Sequence, residues 1–446
     1  MPPKQGLPLH TKILIGLIAG AAAGLLVHAL AGGAPWLEWT VANVTQPAGQ
    51  IFLRLIFMVV IPLIFSALTL GVAELGDLRK LGRIGLKTMA FTLVLSSISV
   101  LVGIALVNLV RPGAGVSAAD RASLIEMLGA SGAAIQPPAP RAGMQIVVEL
   151  IPDNPIRAMV EAFRGEMLAV MVFSLFMGIA MAMCERERVE PLMALLRSLY
   201  EVVMMIIGLA MKLAPYGVAA LLFSLTARFG LEILERLSWY FFTVIGGLLL
   251  QLFVVYSLFL KFLVRYSPRA FFSRIREVLL TAFSTSSSNA TLPVTLRVSE
   301  QQLGIPREIG GFVLTLGSTA NQNGTALYEG VTVLFLAQFF GIELSLGAQV
   351  SVVLMSILAG VGTAGVPGGS LPMVGALLVS VGVPLEGLGI ILGLDRLLDM
   401  CRTTLNVTGD VVAAAYIARS EGYELAPAAA GNDEAAVHPE RRRHGS

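Results

Sequence analysis

Charge is what this 446-residue chain has least of. Asp, Glu, Lys and Arg make up 13% of it and hydrophobic residues 56%, with a mean hydropathy of +0.80; an ordinary soluble domain carries about 25% charged residues. So few charges cannot clothe a water-exposed surface, and the chain reads as an all-α polytopic membrane protein. Histidine is also scarce. His10, His28, His438 and His444 lie at the termini or alone, which excludes a histidine-based catalytic or metal cluster. The two cysteines, Cys184 and Cys401, are far apart and each falls in an apolar span, so there is no disulfide framework and no thiolate metal site. The net charge of +2 is too small to recruit nucleic acid.

Apolar stretches of spanning length run over about 13–31, 43–73, 84–110, 158–184, 192–227 and 239–264. Residues 13–31 could be read as a signal peptide, because Lys4 and Lys12 precede an apolar run ending in Ala29-Leu30-Ala31. The chain beyond Ala31 is more membrane protein rather than a secreted domain, which favours a first span. Basic residues cluster at Lys4 and Lys12, Arg79 to Lys87, Arg186 and Arg188, Lys261 to Arg276, and Arg441 to Arg443. The positive-inside rule puts these segments, and both termini, on the cytoplasmic face of a cell membrane. Residues 111–157 hold six prolines and few basic residues and read as an extracytoplasmic loop. The tail from Glu424 is Ala-, Pro- and charge-rich and reads as disordered.

Three later segments are apolar but broken in the middle. Residues 268–303 contain Thr285-Ser286-Ser287-Ser288-Asn289-Ala290-Thr291-Leu292-Pro293, and residues 345–382 contain Gly360 to Pro372 with five glycines and two prolines. Each reads as a re-entrant helical hairpin, the first entering from the cytoplasm and the second from outside. Non-helical backbone at membrane depth is tolerated only where it lines a cavity or is buried in protein, and paired broken segments point to a transporter's midplane site. A soluble reading would make them flexible loops, against their apolar flanks. Between them a seventh span, about 307–341, is interrupted from Gly317 to Thr325. Carbonyls freed there, with the amides of Asn321 and Asn323, would suit an alkali cation. The plainer reading is a kinked helix whose polar residues bond to its neighbours.

The last span carries Asp395, Asp399, Arg402, Asn406 and Asp410, spaced +4, +3, +4 and +4. That spacing stacks five polar groups along one helical stripe. Ionisable groups at membrane depth cost several kcal/mol each and are rarely kept without a partner or a wet cavity. The stripe therefore reads as the lining of a site for an anion and a cation, with a buried ion-pair network as the alternative.

Taken in order, Arg54 to Leu63, Ala214-Pro-Tyr-Gly217-Val, Ser286-Ser-Ser-Asn-Ala-Thr-Leu-Pro293, Asn321-Gln-Asn-Gly-Thr325, Gly362-Thr-Ala-Gly-Val-Pro-Gly368 and Asp399-Met-Cys-Arg402-Thr-Thr-Leu-Asn406-Val-Thr-Gly-Asp410 resemble the dicarboxylate/amino-acid:cation symporter family, the glutamate transporters, over about residues 8–422. The resemblance implies the glutamate-transporter fold, with eight transmembrane helices and two re-entrant hairpins in a homotrimer. It implies a scaffold domain over 1–81 and 158–232 (spans one, two, four and five), a transport domain over 82–110 and 233–422, and a tail over 423–446. It implies an acidic amino-acid symporter of the inner (plasma) membrane, driven by sodium and/or protons, with lipid as its surround and no prosthetic cofactor. By position, Arg402 would pair with the substrate's side-chain carboxylate and Asp399 with its ammonium. Thr403 and Asn406 would hold the main-chain end, and Thr325 would lie near the side-chain carboxylate. Ser286, Ser288, Val366 and Ser370 would close over the ligand. Asp410 with oxygens of Gly317, Asn321 and Asn406 would take one cation, while Thr319 and Thr363 mark a second. Asp395, Asp399 and Asp410 are the candidate proton carriers.

The departures from the family pattern bear on coupling. The family's Asn-Met-Asp-Gly-Thr is here Asn321-Gln322-Asn323-Gly324-Thr325, so a cation-binding carboxylate is replaced by an amide. Thr92 and Leu95 align with a Tyr and a Thr for the same ion, although Ser96 remains, so that cation site is expected to be lost. Neither Ser286 nor Met400 is the arginine many members carry, which leaves one fewer fixed positive charge nearby. The main rival function is a C4-dicarboxylate:cation symporter, disfavoured by Asp399. A channel would not need two-sided hairpin tips, and a membrane enzyme would need a nucleophile–base pair that the chain does not offer.

Overall fold

A computed structural model describes residues 9–75, 83–117, 121–122, 151–162, 166–362 and 368–427. All regular structure among them is helical. The chain starts with α1 (Leu9–Ala31) and α2 (Pro35–Thr40), passes a π-helical turn (Val41–Thr45), and continues through α3 (Gln46–Phe57), α4 (Val60–Leu75) and α5 (Arg83–Val110). After the loop come α6 (Pro155–Val160), α7 (Met167–Met183), the 44-residue α8 (Arg186–Phe229) and α9 (Leu231–Leu250). A π-turn, α10 (Tyr256–Phe259) and a second π-turn complete that span to Val264. Then follow α11 (Pro268–Arg274), α12 (Arg276–Thr285), α13 (Ser288–Gln301), α14 (Arg307–Ala320), α15 (Asn323–Phe340), α16 (Leu346–Gly362), α17 (Leu371–Ser380) and the long α18 (Leu388–Ser420).

The expected stretch at 43–73 is broken at Met58–Val59, because Pro62 has no N–H for the carbonyl of Met58 and its ring crowds that group. The expected span at 158–184 is likewise two pieces. Charged Glu161 and Glu166 flank the gap, and Asn154 caps α6 by accepting from Ile156 N at 3.0 Å and Arg157 N at 3.1 Å. Cys184 falls just past α7 and is exposed, rather than inside a span. The expected disorder from Glu424 does not hold for the first residues of the tail: Ala426 N donates to Leu303 O at 2.9 Å, and Arg274 Nη1 donates to Ala426 O at 3.1 Å. Among the described residues, five helical stretches are long and apolar enough to cross a membrane by length and composition.

The first helix packs against the body of the protein. It packs along α8 through Gly16 and Gly20, four residues apart on one face. A Cβ on either would collide with a backbone oxygen of α8, at Pro215 and Ala219 respectively. Small residues at that spacing let two backbones approach closely where lipid supplies no hydrophobic drive. Helices α3, α4 and α7 join this pair, while α5, α9 and α12 to α15 gather around α18, with α16 packed on α15 and α5. The two groups meet where α18 crosses α8 and where α16 and α17 lie on α4.

Candidate functional site

The breaks expected at Ser286 and at Asn321 are present. Helix α12 ends at Ser286, which adopts the left-handed conformation (φ 51°), and α13 restarts with Ser287 as its N-cap, accepting from Ala290 N at 3.2 Å. Between α14 and α15 the unwound backbone is only Asn321 and Gln322, shorter than the expected polar run, because Asn323 to Thr325 already form the first turn of α15. The tip of the second hairpin, including Thr363 and Val366, lies outside the described residues, and α17 begins after Ser370. Helices α13, α15 and α17 all pack against α18, and each starts at a break, where unsatisfied N–H groups and the helix dipole favour anions.

All five members of the α18 stripe are buried, none more than 5% exposed. Arg402 Nη1 donates to Asp395 Oδ1 at 3.1 Å, and its Nε donates to Asp399 Oδ1 at 3.0 Å. The guanidinium carbon lies 4.2 Å from the centre of the Tyr328 ring, and the Tyr328 hydroxyl donates to Asp395 Oδ1 at 2.9 Å. Asp399 Oδ2 accepts from Gly368 N at 3.2 Å, which brings the second hairpin to α18. The two charges expected to meet a substrate's carboxylate and ammonium therefore satisfy one another here. A ligand carrying both charges can exchange partners with them without stranding either.

Asn406 secures the restart of α15. Its Oδ1 accepts from Gly324 N at 2.6 Å and Thr325 N at 3.4 Å, while its Nδ2 donates to Gln322 Oε1 at 2.5 Å and Thr325 Oγ1 at 3.1 Å. Its side chain is thus committed to the break, and its backbone carbonyl, one turn before Asp410, is what it can offer a cation. Asp410 Oδ1 accepts from Asn321 Nδ2 at 2.8 Å and lies against Gly317, where a Cβ would strike the carboxylate. The Asn321 Oδ1 is buried without a hydrogen-bond partner among the described residues, a free oxygen beside a carboxylate. These residues together suit a small hard cation. Thr319 is not among them: it faces the exposed side of α14 and its hydroxyl donates to Leu316 O at 3.0 Å.

The hydroxyls of Ser286 and Ser370, one from each hairpin, are buried without hydrogen-bond partners among the described residues. Ser288 and Thr403 are buried too. Orphaned buried donors are rare, and a closing ligand is one reason to keep them.

One buried group is not singled out by the sequence pattern. Glu329 on α15 is fully buried, and neither carboxylate oxygen has a hydrogen-bond partner among the described residues. An ionisable residue inside the apolar run after Thr325 is the signal that could have found it. Asn323, by contrast, is singled out in the sequence as an amide in place of a carboxylate. Its Oδ1 accepts from Ser96 Oγ at 2.8 Å and its Nδ2 donates to the Tyr256 hydroxyl at 3.0 Å, while its backbone carbonyl accepts from Ser99 Oγ at 2.8 Å. Neutral partners from two other spans occupy both ends of the amide, and Leu95, which precedes Ser96, is fully buried.

Comparisons with known proteins find relatives over almost the whole chain. A proton/glutamate-aspartate symporter of Escherichia coli is 35% identical over 414 residues, covering 93% of each chain. A proton/sodium-glutamate symport protein of Bacillus subtilis is 33% identical over 416 residues, covering 93% of each. A C4-dicarboxylate transport protein of Rhizobium johnstonii is 32% identical, covering 93% of this chain and 90% of its own. The model of the sodium:dicarboxylate symporter family matches residues 9–420, almost the whole described chain. This multi-pass membrane protein belongs to the sodium:dicarboxylate symporter family and is a transporter, not an enzyme.

Proposed function

We propose that the chain takes up acidic amino acids, glutamate or aspartate, by symport with protons and a reduced complement of sodium. One observation carries the substrate class: Asp399 and Arg402 stand on one buried face with opposite charges, each holding the other. A zwitterionic acid with a second carboxylate offers a counter-charge to both, whereas a dicarboxylate leaves Asp399 without an ammonium. The relatives named for glutamate and aspartate favour the same reading, and those named for C4-dicarboxylates keep the alternative open to test.

Proton coupling is supported by Glu329. An ionised carboxylate buried with no donor costs several kcal/mol, and protonation removes that charge. Glu329 thus joins Asp395, Asp399 and Asp410 as a proton carrier, and it alone of the four accepts no hydrogen bond within the described residues. The amide at Asn323 supports the loss of one cation site, and Asp410 with Asn321 supports the retention of another.

The transport cycle is of the elevator type. The scaffold is 1–81 and 158–232, and the moving body is 82–110 and 233–422, consistent with the gathering of helices around α18. The assembly is a homotrimer in the inner membrane with cytoplasmic termini. Uptake into proteoliposomes under separate proton and sodium gradients tests the reading. Aspartate or glutamate should accumulate under an inward proton gradient, and Glu329→Gln should abolish the response to that gradient while still binding substrate. Uptake that ignores both gradients, or Glu329→Gln uptake that keeps its proton dependence, would refute it.

A further inference from the structure

Asp399 is shared by two guanidiniums, and only one of them has a task in the substrate assignment. Its Oδ1 belongs to Arg402, while its Oδ2 faces Arg396 Nη1 at 3.4 Å beside the Gly368 N–H. Arg396 lies three residues before Asp399 on α18, with its side chain 14% exposed, and its Nε is buried without a hydrogen-bond partner among the described residues. It supplies the positive charge that the sequence pattern lacked at Ser286 and Met400.

The charge count gives it a role. Asp395 and Asp399 against Arg402 alone would leave the site at one negative charge; with Arg396 the four groups balance. When substrate draws Arg402 away to its carboxylate, Arg396 remains on Oδ2 and Asp399 is left partly compensated. A ligand without an ammonium then strands no bare carboxylate, and a ligand with one must share Asp399 with a resident cation. Both effects act in the same direction. We propose that Arg396 is a specificity-determining residue that narrows the preference for amino acids over dicarboxylates at this site. The proposal rests on the substrate class assigned under the proposed function.

An intrahelical ion pair of purely structural value would leave the relative affinities of two ligands untouched. The test is the ratio of succinate to aspartate dissociation constants, measured by calorimetry on purified transporter in nanodiscs, for wild type, Arg396→Gln and Arg396→Lys. Arg396→Gln should raise the ratio about tenfold or more, since removing a charge within hydrogen-bond reach in a buried site changes binding by at least that factor. Arg396→Lys should return the ratio towards wild type. An unchanged or lowered ratio in Arg396→Gln overturns the proposal. If Arg396→Gln does not fold, Arg396→Lys decides: it must hold the wild-type ratio within about threefold, and a larger departure counts against a charge-based role. Wild-type protein that binds neither ligand would instead overturn the substrate assignment, which keeps the two failures apart.

Discussion

Replacing Arg402 by alanine removes the one cation that two buried carboxylates share. The side chain is 1% exposed, bonded to Asp395 at 3.1 Å and to Asp399 at 3.0 Å. Deleting one partner of a buried pair costs about 3–5 kcal/mol, because the charge left behind has been taken out of water without compensation. In the bound state the same loss strands the substrate's side-chain carboxylate. The two losses do not cancel, since a bound acidic substrate adds a negative charge to a site that has just lost a positive one. Aspartate affinity in Arg402→Ala should fall by at least roughly 100-fold, about 2.7 kcal/mol. The assay is aspartate binding by calorimetry in nanodiscs, with an uncharged amino acid as the control ligand, so that loss of fold is separated from loss of recognition. Arg402→Lys should recover only part of the affinity, because an ammonium keeps the charge but not the planar two-point contact. Aspartate affinity within about threefold of wild type in Arg402→Ala would contradict this account of the site.

Two further substitutions test coupling and the contact between the end of α18 and the start of α5. Asn323→Asp places a charge among Ser96, Ser99 and Tyr256, so substrate binding should become more steeply dependent on sodium or on proton concentration; identical cation titrations for variant and wild type would show that the amide has no part in coupling. Glu421 closes the end of α18 onto the start of α5. Partial burial alone would raise its carboxyl, but hydrogen bonds from Arg83 and Lys87 (the latter at 2.7 Å) hold it below the ordinary glutamate range. A depressed carboxylate stabilises the fold above its unfolded value, near pH 4.3, and loses that contribution as pH falls through the folded value. Glu421→Gln should therefore lower thermal stability near neutral pH by no more than about 1 kcal/mol, since Arg83 is largely exposed. The difference should vanish in acid, and a gap that persisted there would point to packing instead.

Short-range patterns set much of this molecule, and they were legible without coordinates. Span lengths follow from apolar runs, and the breaks at Ser286, Asn321 and Gly368 follow from residues that cannot continue a helix at those depths. The stripe from Asp395 to Asp410 follows from the period of the helix itself. The amide at position 323, where the resembled family has a carboxylate, was likewise visible in the sequence alone. Where sequence fell short, one proline mattered more than hydropathy, as at Pro62, because mean apolarity does not register one missing N–H. The pairing of side chains belonged to the tertiary structure. Arg402 is 74 residues from Tyr328, and Asn323 is 227 from Ser96; only packing decides that these meet. Glu329 carries a signal in the sequence, an ionisable residue in an apolar run, but only packing seals it from water with no partner among the described residues. Local spacing determines which groups share a face, but the cost of burying each one depends on what the other helices bring to it.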